Sequence, residues 1–351
     1  MEPITHLLTG AVLARTGFNR KTRLATAGMT LAAEAPDLDV VFYFGGSAFG
    51  FAQHRGFTHT FWAVPLMAGI TVGFLYLWTK VWYRFRPPKP EALPIRWWLL
   101  YGYCCIAGLS HLLLDFTNNY GVRPFWPLWK HWYAWDIVFI IEPVMLAALT
   151  LALVLPSLFG LINSEIGARQ KGPRGRGFAI AALAVIVAMW GVRDYQHRRA
   201  VAALEALTYH GKDAQRVAAF PAMVTPFKWT GVVDTGDAYE VMPVDSLRPQ
   251  VDPGGRAQTY FKPEETDEIK AAEASYLGRA YLDWSRFPLL EVETKPQSDP
   301  GFTVRFRDLR FQSVTSKRVP MGAYVELDPK LRVQYQGFED PSPEHGRLTS
   351  R

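Results

Sequence analysis

The chain has 351 residues, room for two domains, and carries 38 Lys and Arg against 32 Asp and Glu, a net charge of +6 at pH 7. The surplus is confined to residues 1–192, which hold 16 basic and nine acidic residues, while the rest of the chain holds 22 and 23. A basic excess inside the apolar part follows the positive-inside rule and argues against a nucleic-acid footprint, and the only cysteines, adjacent Cys104 and Cys105, exclude a disulfide framework.

Taken in chain order, residues 4–16 and 24–35 are short apolar stretches, expected as helices that dip into the membrane or cross it with help from neighbours. No basic residue precedes Arg15 and Glu2 opens the chain, so the start does not resemble a cleavable signal peptide. Residues 60–79 run for twenty positions without a charge, the length a helix needs to cross a bilayer core of about 30 Å. Residues 97–116 form a second predicted span with His111 and Asp115 near its end. A third covers 137–162, interrupted only by Glu142-Pro143, and a shorter fourth covers 177–192.

Beyond residue 193 the composition becomes that of a soluble α+β domain. "DYQHRRAVAALEALTY" is able to extend the last span as a helix, and "EETDEIKAAEASYLGRAYLDW" has helical spacing. Strands are predicted at 239–244, 289–294, 302–307 and 323–327, with turn chemistry at "LRPQVDPGGR" and a frayed tail after Glu339. The expected fold is therefore mainly α: a polytopic helical domain, 1–192, and a C-terminal α+β domain, 193–351.

Three connections are strongly basic, 15–23, 80–96 and 168–176, and should face the cytoplasm. Loops 44–56 and 117–135 contain only Arg55, Arg123 and Lys130 and should lie outside, together with everything after the last span. With this orientation His6, Asp37, Asp39, His54, His59, His111, Asp115, His131, Asp136 and Glu142 all fall at the outer ends of their segments.

Ionisable groups at bilayer depth are costly and mark function by default, and a mixture of imidazoles and carboxylates is the ligand chemistry of zinc and related divalent ions. His111 and Asp115 are an i, i+4 pair on one helical face. Pro36 should end the preceding helix and leave Asp37 and Asp39 at an irregular terminus. Gly56, between His54 and His59, favours a tight bend before the span begins. Each motif also has a plainer explanation: a hydrogen-bonded surface pair for His111 and Asp115, a turn or N-cap for Asp37 and Asp39, an interfacial position for His6, His54 and His59, and helix capping for Asp136. Glu142 is deeper and harder to explain as a cap. Their common layer favours a shared site over independent explanations.

"THLLTG", "PDLD", "HRGFTHT", "HLLLDFTNNYGVRPFWP" and "WDIVFIIEP" resemble, in order, the motif series of the YdjM-type family of LexA-regulated, membrane-bound metal-dependent hydrolases. The resemblance covers about residues 3–145 and implies a helical, polytopic inner-membrane protein of bacterial type. That family is in turn distantly similar to the zinc-dependent phospholipase C and single-strand nuclease group. On that analogy His6, Asp37, His59, His111 and Asp115 bind metal, and Asp39 and His54 are further ligands or support them. Glu142, where the family carries Asp, and Glu34, where a small residue is common, depart from the pattern, and the later HxxxE of the phospholipase group is not visible.

The leading expectation is hydrolysis by metal-activated water at the outer face of the inner membrane, with zinc as first candidate and manganese as second. Asp37 or Asp39 would be the general base, Arg55 would hold a phosphate or pair with lipid headgroups, and Thr58 would support the ligands. The substrate class is a phosphoester of a lipid or lipid-linked molecule, on location and analogy alone. Two alternatives stand beside it: ion or proton movement, and a non-catalytic envelope protein braced by a structural metal. The orientation is directly testable. Reporter fusions at residues 90 and 250 should give opposite signals, and equal signals would overturn an outward-facing site.

Overall fold

The structure is a computed structural model that describes residues 1–165, 175–312 and 321–338. It divides into two compact units, Met1–Asp39 with Arg55–Asp194, and Val40–His54 with Tyr195–Arg351. The expected boundary lay at 192/193; the division also counts segment 40–54 with the second unit, although the sequence reading placed it in the first. The basic connection 168–176 falls for the most part, and the tail after Glu339 wholly, outside the described residues.

The first unit is helical. α1 (Pro3–Arg15) and α2 (Ala25–Glu34) are the two short helices. They pack closely because position 10 is glycine: a Cβ there would stand 2.3 Å from the Met29 carbonyl oxygen. Small residues allow this kind of approach between apolar helices. α4 (Ala63–Phe85), α5 (Trp97–Thr117) and α7 (Arg176–Glu205) are long and apolar enough to cross a membrane. α3 (Ser47–Gln53) is a short helix of the other unit. α6 (Pro143–Glu165) contains a further apolar stretch, Pro143–Phe159. The predicted third span began at 137, but the helix starts at Pro143. Proline is favoured at the first helical turn and biases the residue before it away from helix. α7 runs unbroken past Trp190 to Glu205, as the amphipathic sequence after the span allowed. Buried Met29, Ala32, Ala33, Ala68, Leu100 and Cys104 form one apolar cluster, and Val12, Leu114, Ile137, Met145 and Leu149 belong to another.

The second unit is built on antiparallel sheets. β1 (Arg216–Pro221), β2 (Lys228–Asp234), β3 (Ala238–Asp245) and β4 (Gln250–Val251) follow one another, and β5 (Gln258–Phe261) also pairs with β3. A second sheet is the meander β6 (Pro288–Thr294), β7 (Phe302–Asp308), β8 (Ala323–Leu327) and β9 (Val333–Phe338). The predicted helical run splits into α8 (Asp267–Glu273) and α9 (Tyr276–Trp284), because Ser275 caps α9 by accepting from the Gly278 amide. A cluster of Phe220, Val232 and Val241 with Phe287, Leu289 and Leu309 joins residues of the first sheet to residues around the second.

Asp308 and Arg310 are a buried ion pair in this unit, 2.8 Å apart, with Ser285 also donating to the carboxylate. Burial pushes the Asp308 carboxyl up, but the Arg310 guanidinium and its hydrogen-bond donors outweigh it and hold it below its ordinary value of 3.8. A carboxyl depressed in the folded state contributes stability that is full above its unfolded value and lost as pH falls through the folded one. Asp308→Asn should therefore weaken the acid limb of thermal unfolding below about pH 4 and, by stranding Arg310, cost about 3–5 kcal/mol near neutrality. An unchanged melting temperature across that range would contradict the assignment.

Candidate metal centre

The site is assembled by helix ends of the first unit. α5 carries His111 and Asp115 one turn apart. The chain leaves α2 at Glu34 and tightens into a 3₁₀ run through Asp37 and Asp39. Ala35 keeps right-handed helical angles, so Pro36 ends the α-helix without turning the chain to extended backbone. His59 closes a 3₁₀ turn four residues before α4 begins.

Ligand atoms of Asp37, His59, His111 and Asp115 lie within 4.8 Å of one another. His59, His111 and Asp115 are fully buried, whereas the Asp37 side chain is 16% exposed. His111 Nδ1 is 2.7 Å from the Ala33 carbonyl oxygen, which can only accept, so Nδ1 carries the proton and the Nε2 lone pair faces the cluster. His59 Nδ1 is turned outward in the same manner, 3.0 Å from Thr58 Oγ1 and 3.4 Å from Asp39 Oδ2, and the Thr58 hydroxyl donates to Asp39. The two Nε2 atoms then meet at 3.0 Å. Asp115 Oδ2 lies 3.4 Å from both, and Asp37 Oδ1 lies 3.2 Å from His59 Nε2.

Two lone pairs and two carboxylates converging in a buried space repel unless a proton or a cation lies among them. Burial alone would push Asp37 up, but the His59 hydrogen bond holds it well below the carboxylate range. Burial would likewise push His59 down, but bonds to Asp115 and Asp37 raise it. Without a cation, a proton on His59 balances the cluster; a divalent ion taking that place releases the proton. Buried Asp115 Oδ2 has no hydrogen-bond partner. The donor set, two carboxylates and two imidazole nitrogens whose outer edges are already engaged, fits a divalent cation.

Arg55 supports this arrangement from behind. Its amide donates to Asp39 Oδ2 at 2.9 Å, and its guanidinium donates to Asp115 Oδ1 and to the Gly121 carbonyl, each at 2.7 Å. The tight bend expected at Gly56 places its left-handed backbone on Arg55 instead, with φ 52°. These three bonds over-determine a conformation that a long side chain ordinarily avoids. Two of the guanidinium nitrogens of Arg55 are thus engaged by protein groups, Nη1 by Gly121 and Nη2 by Asp115. Gly121 is itself constrained: its φ is 88°, and a Cβ would press on the Tyr133 carbonyl oxygen at 3.1 Å.

The other expected residues have different surroundings. His6 is fully buried, its ring stacked on His111 at 3.7 Å and its Nε2 3.5 Å from Asp115 Oδ1, beside the four-residue set without joining it. The Met1 ammonium also bonds Asp115. Asp39 stands on the outer edge of His59. His54 follows α3 and belongs to the second unit. His131 is exposed against Tyr133. Asp136 is buried with φ 59° and is not among the converging donors. Glu142 faces Arg193 of α7 at 2.7 Å, with both side chains buried. Arg193 was not singled out in the sequence, although one cation directly after an apolar run, with one deep carboxylate elsewhere, is the signal for such a pair.

The chain matches the family model described as YdjM inner membrane protein over residues 1–200. It belongs to the YdjM inner membrane protein family. It is also 26% identical over 309 residues to the uncharacterized protein YfhP of Bacillus subtilis (strain 168), covering 87% of this chain and 83% of the relative. No solved structure matches. The described span of the YdjM match contains all four converging donors, so the protein is a membrane protein of this family with a possible metal site.

The centre is testable by metal analysis. If the four donors share one cation, His111→Ala should remove about one equivalent of bound metal from detergent-purified protein, while Glu142→Gln should remove none. Unchanged content in His59→Ala and His111→Ala alike would exclude the centre.

Proposed function

We propose that this YdjM-family protein is a metal-dependent hydrolase acting at the outer face of the inner membrane on a phosphoester of a lipid or lipid-linked molecule. The observation that carries the proposal is the inward convergence of the His59 and His111 Nε2 atoms on Asp37 and Asp115, with both outer imidazole edges tied to protein acceptors. Zinc is the first candidate for these donors and manganese the second. A divalent cation held there supplies Lewis acidity and lowers the pKa of the water it binds to about 7.

The chain's own groups divide the remaining work. Asp37 is the donor with residual exposure, so it is placed both to touch the cation and to accept a proton at a carboxylate oxygen. Asp39, 1% exposed and engaged by the Arg55 amide and Thr58, positions His59 rather than reaching substrate. Arg55 fixes Asp115 and offsets part of the carboxylate charge. The C-terminal unit is proposed to be periplasmic and to select the substrate. A second reading, a metal that only braces the helices, is favoured by the complete burial of three of the four donors.

The two readings part on activity. The wild type should show phosphoester turnover that a chelator abolishes and zinc or manganese restores. Asp37→Asn should lower that turnover by about 10²–10⁴-fold while most metal stays bound. Asp39→Asn should act through His59 and change metal affinity as well as rate. Metal-loaded, folded protein that hydrolyses no phosphoester, ester or amide would leave the bracing role.

A further inference from the structure

Between Val40 and Gln53 the chain has no charged residue, and it includes the run Val-Val-Phe-Tyr-Phe. One side of this excursion is used inside the second unit. Phe51 is 4% exposed, with its ring 5.9 Å from Tyr281, 5.3 Å from Trp284 and 4.9 Å from Phe338. The other side faces solvent: Val40 is 60% exposed, Val41 50%, Phe42 36%, Tyr43 40%, Phe44 94% and Phe49 39%. Water-soluble surfaces rarely leave so continuous an aromatic and aliphatic run uncovered.

The two roots of the excursion show where it starts and returns. Asp39 and Arg55 are bonded to each other at 2.9 Å, and Arg55 is bonded at 2.7 Å to Asp115, two residues before the end of α5 at Thr117. Arg55 also lies just upstream of α4, which begins at Ala63. Both roots are therefore fixed at the level where two membrane-length helices end, which is one surface of the bilayer. A charge-free segment rich in Phe and Tyr, rooted at that level, meets the conditions for residence in the headgroup and upper acyl region.

We infer that Val40–Phe44, with Phe49, is a tab that inserts into the bilayer interface, so that lipid is the partner of this surface. Phe51 ties the tab to the sheet-bearing unit, and the exposed run ties it to lipid. The inference does not depend on hydrolysis at the metal centre.

The test uses full-length protein in nanodiscs of phosphatidylethanolamine and phosphatidylglycerol, with an NBD fluorophore on Phe44→Cys, on Val41→Cys, or on Lys330→Cys at an exposed hairpin of the second unit. Unsubstituted protein reports background labelling of Cys104 and Cys105. Emission from positions 44 and 41 should fall by at least half with doxyl-labelled lipid and resist aqueous iodide, and position 330 should behave in the opposite way. Iodide quenching at 44 and 41 equal to that at 330 would overturn the inference. Protection from both quenchers would also overturn it, since protein rather than lipid would then cover the run.

Discussion

Two imidazole Nε2 atoms held 3.0 Å apart beside two carboxylates, one of them fully buried, are the electrostatic constraint that the rest of the first unit is arranged around. The groups are kept together by what lies behind them. The Ala33 carbonyl holds His111 and so ties α5 to the end of α2. Thr58 and Asp39 hold the outer edge of His59, and Arg55 joins Asp39 to Asp115 through its own backbone and side chain. A cluster without these outer partners would relax by rotating its rings apart. With those partners in place, the four groups form a set that could hold a small cation.

The same unit buries a second, separate charge pair, Glu142 with Arg193, where α7 meets the start of α6. The contrast with the centre is chemical. Glu142 faces a single partner cation, Arg193, whereas Asp115 takes Arg55 and the Met1 ammonium on Oδ1 and keeps Oδ2, which has no hydrogen-bond partner, turned to the two imidazoles. Removing either member of the Glu142–Arg193 pair would strand a charge in an apolar surrounding, which is why such pairs are costly to break even where they add little net stability.

Features governed by periodicity and length were legible in the sequence: the apolar runs that became α4 and α5, the strands β3, β6, β7 and β8, and the helical character of 264–284. β1 and β2 were not, because "RVAAFP" and "KWTGVVD" have neither strict alternation nor dense β-branching and acquire their order from pairing with each other and with β3. At the site, one-layer placement of the ionisable residues pointed to the neighbourhood. It could not rank its members, since ligand choice depends on ring orientation. Asp37 and Asp39 are two residues apart and chemically identical, yet they stand on opposite edges of the same imidazole. The left-handed backbone of Arg55 was likewise invisible, because glycine stands next to it and local propensity favours the glycine.

X-ray absorption at the edge of the metal that copurifies with the protein tests the central claim most directly. The account predicts a first shell of two imidazole nitrogens with oxygen, at about 2.0–2.2 Å for zinc, and loss of one imidazole in His59→Ala. A shell containing sulfur, or oxygen alone with no imidazole signature, would contradict it.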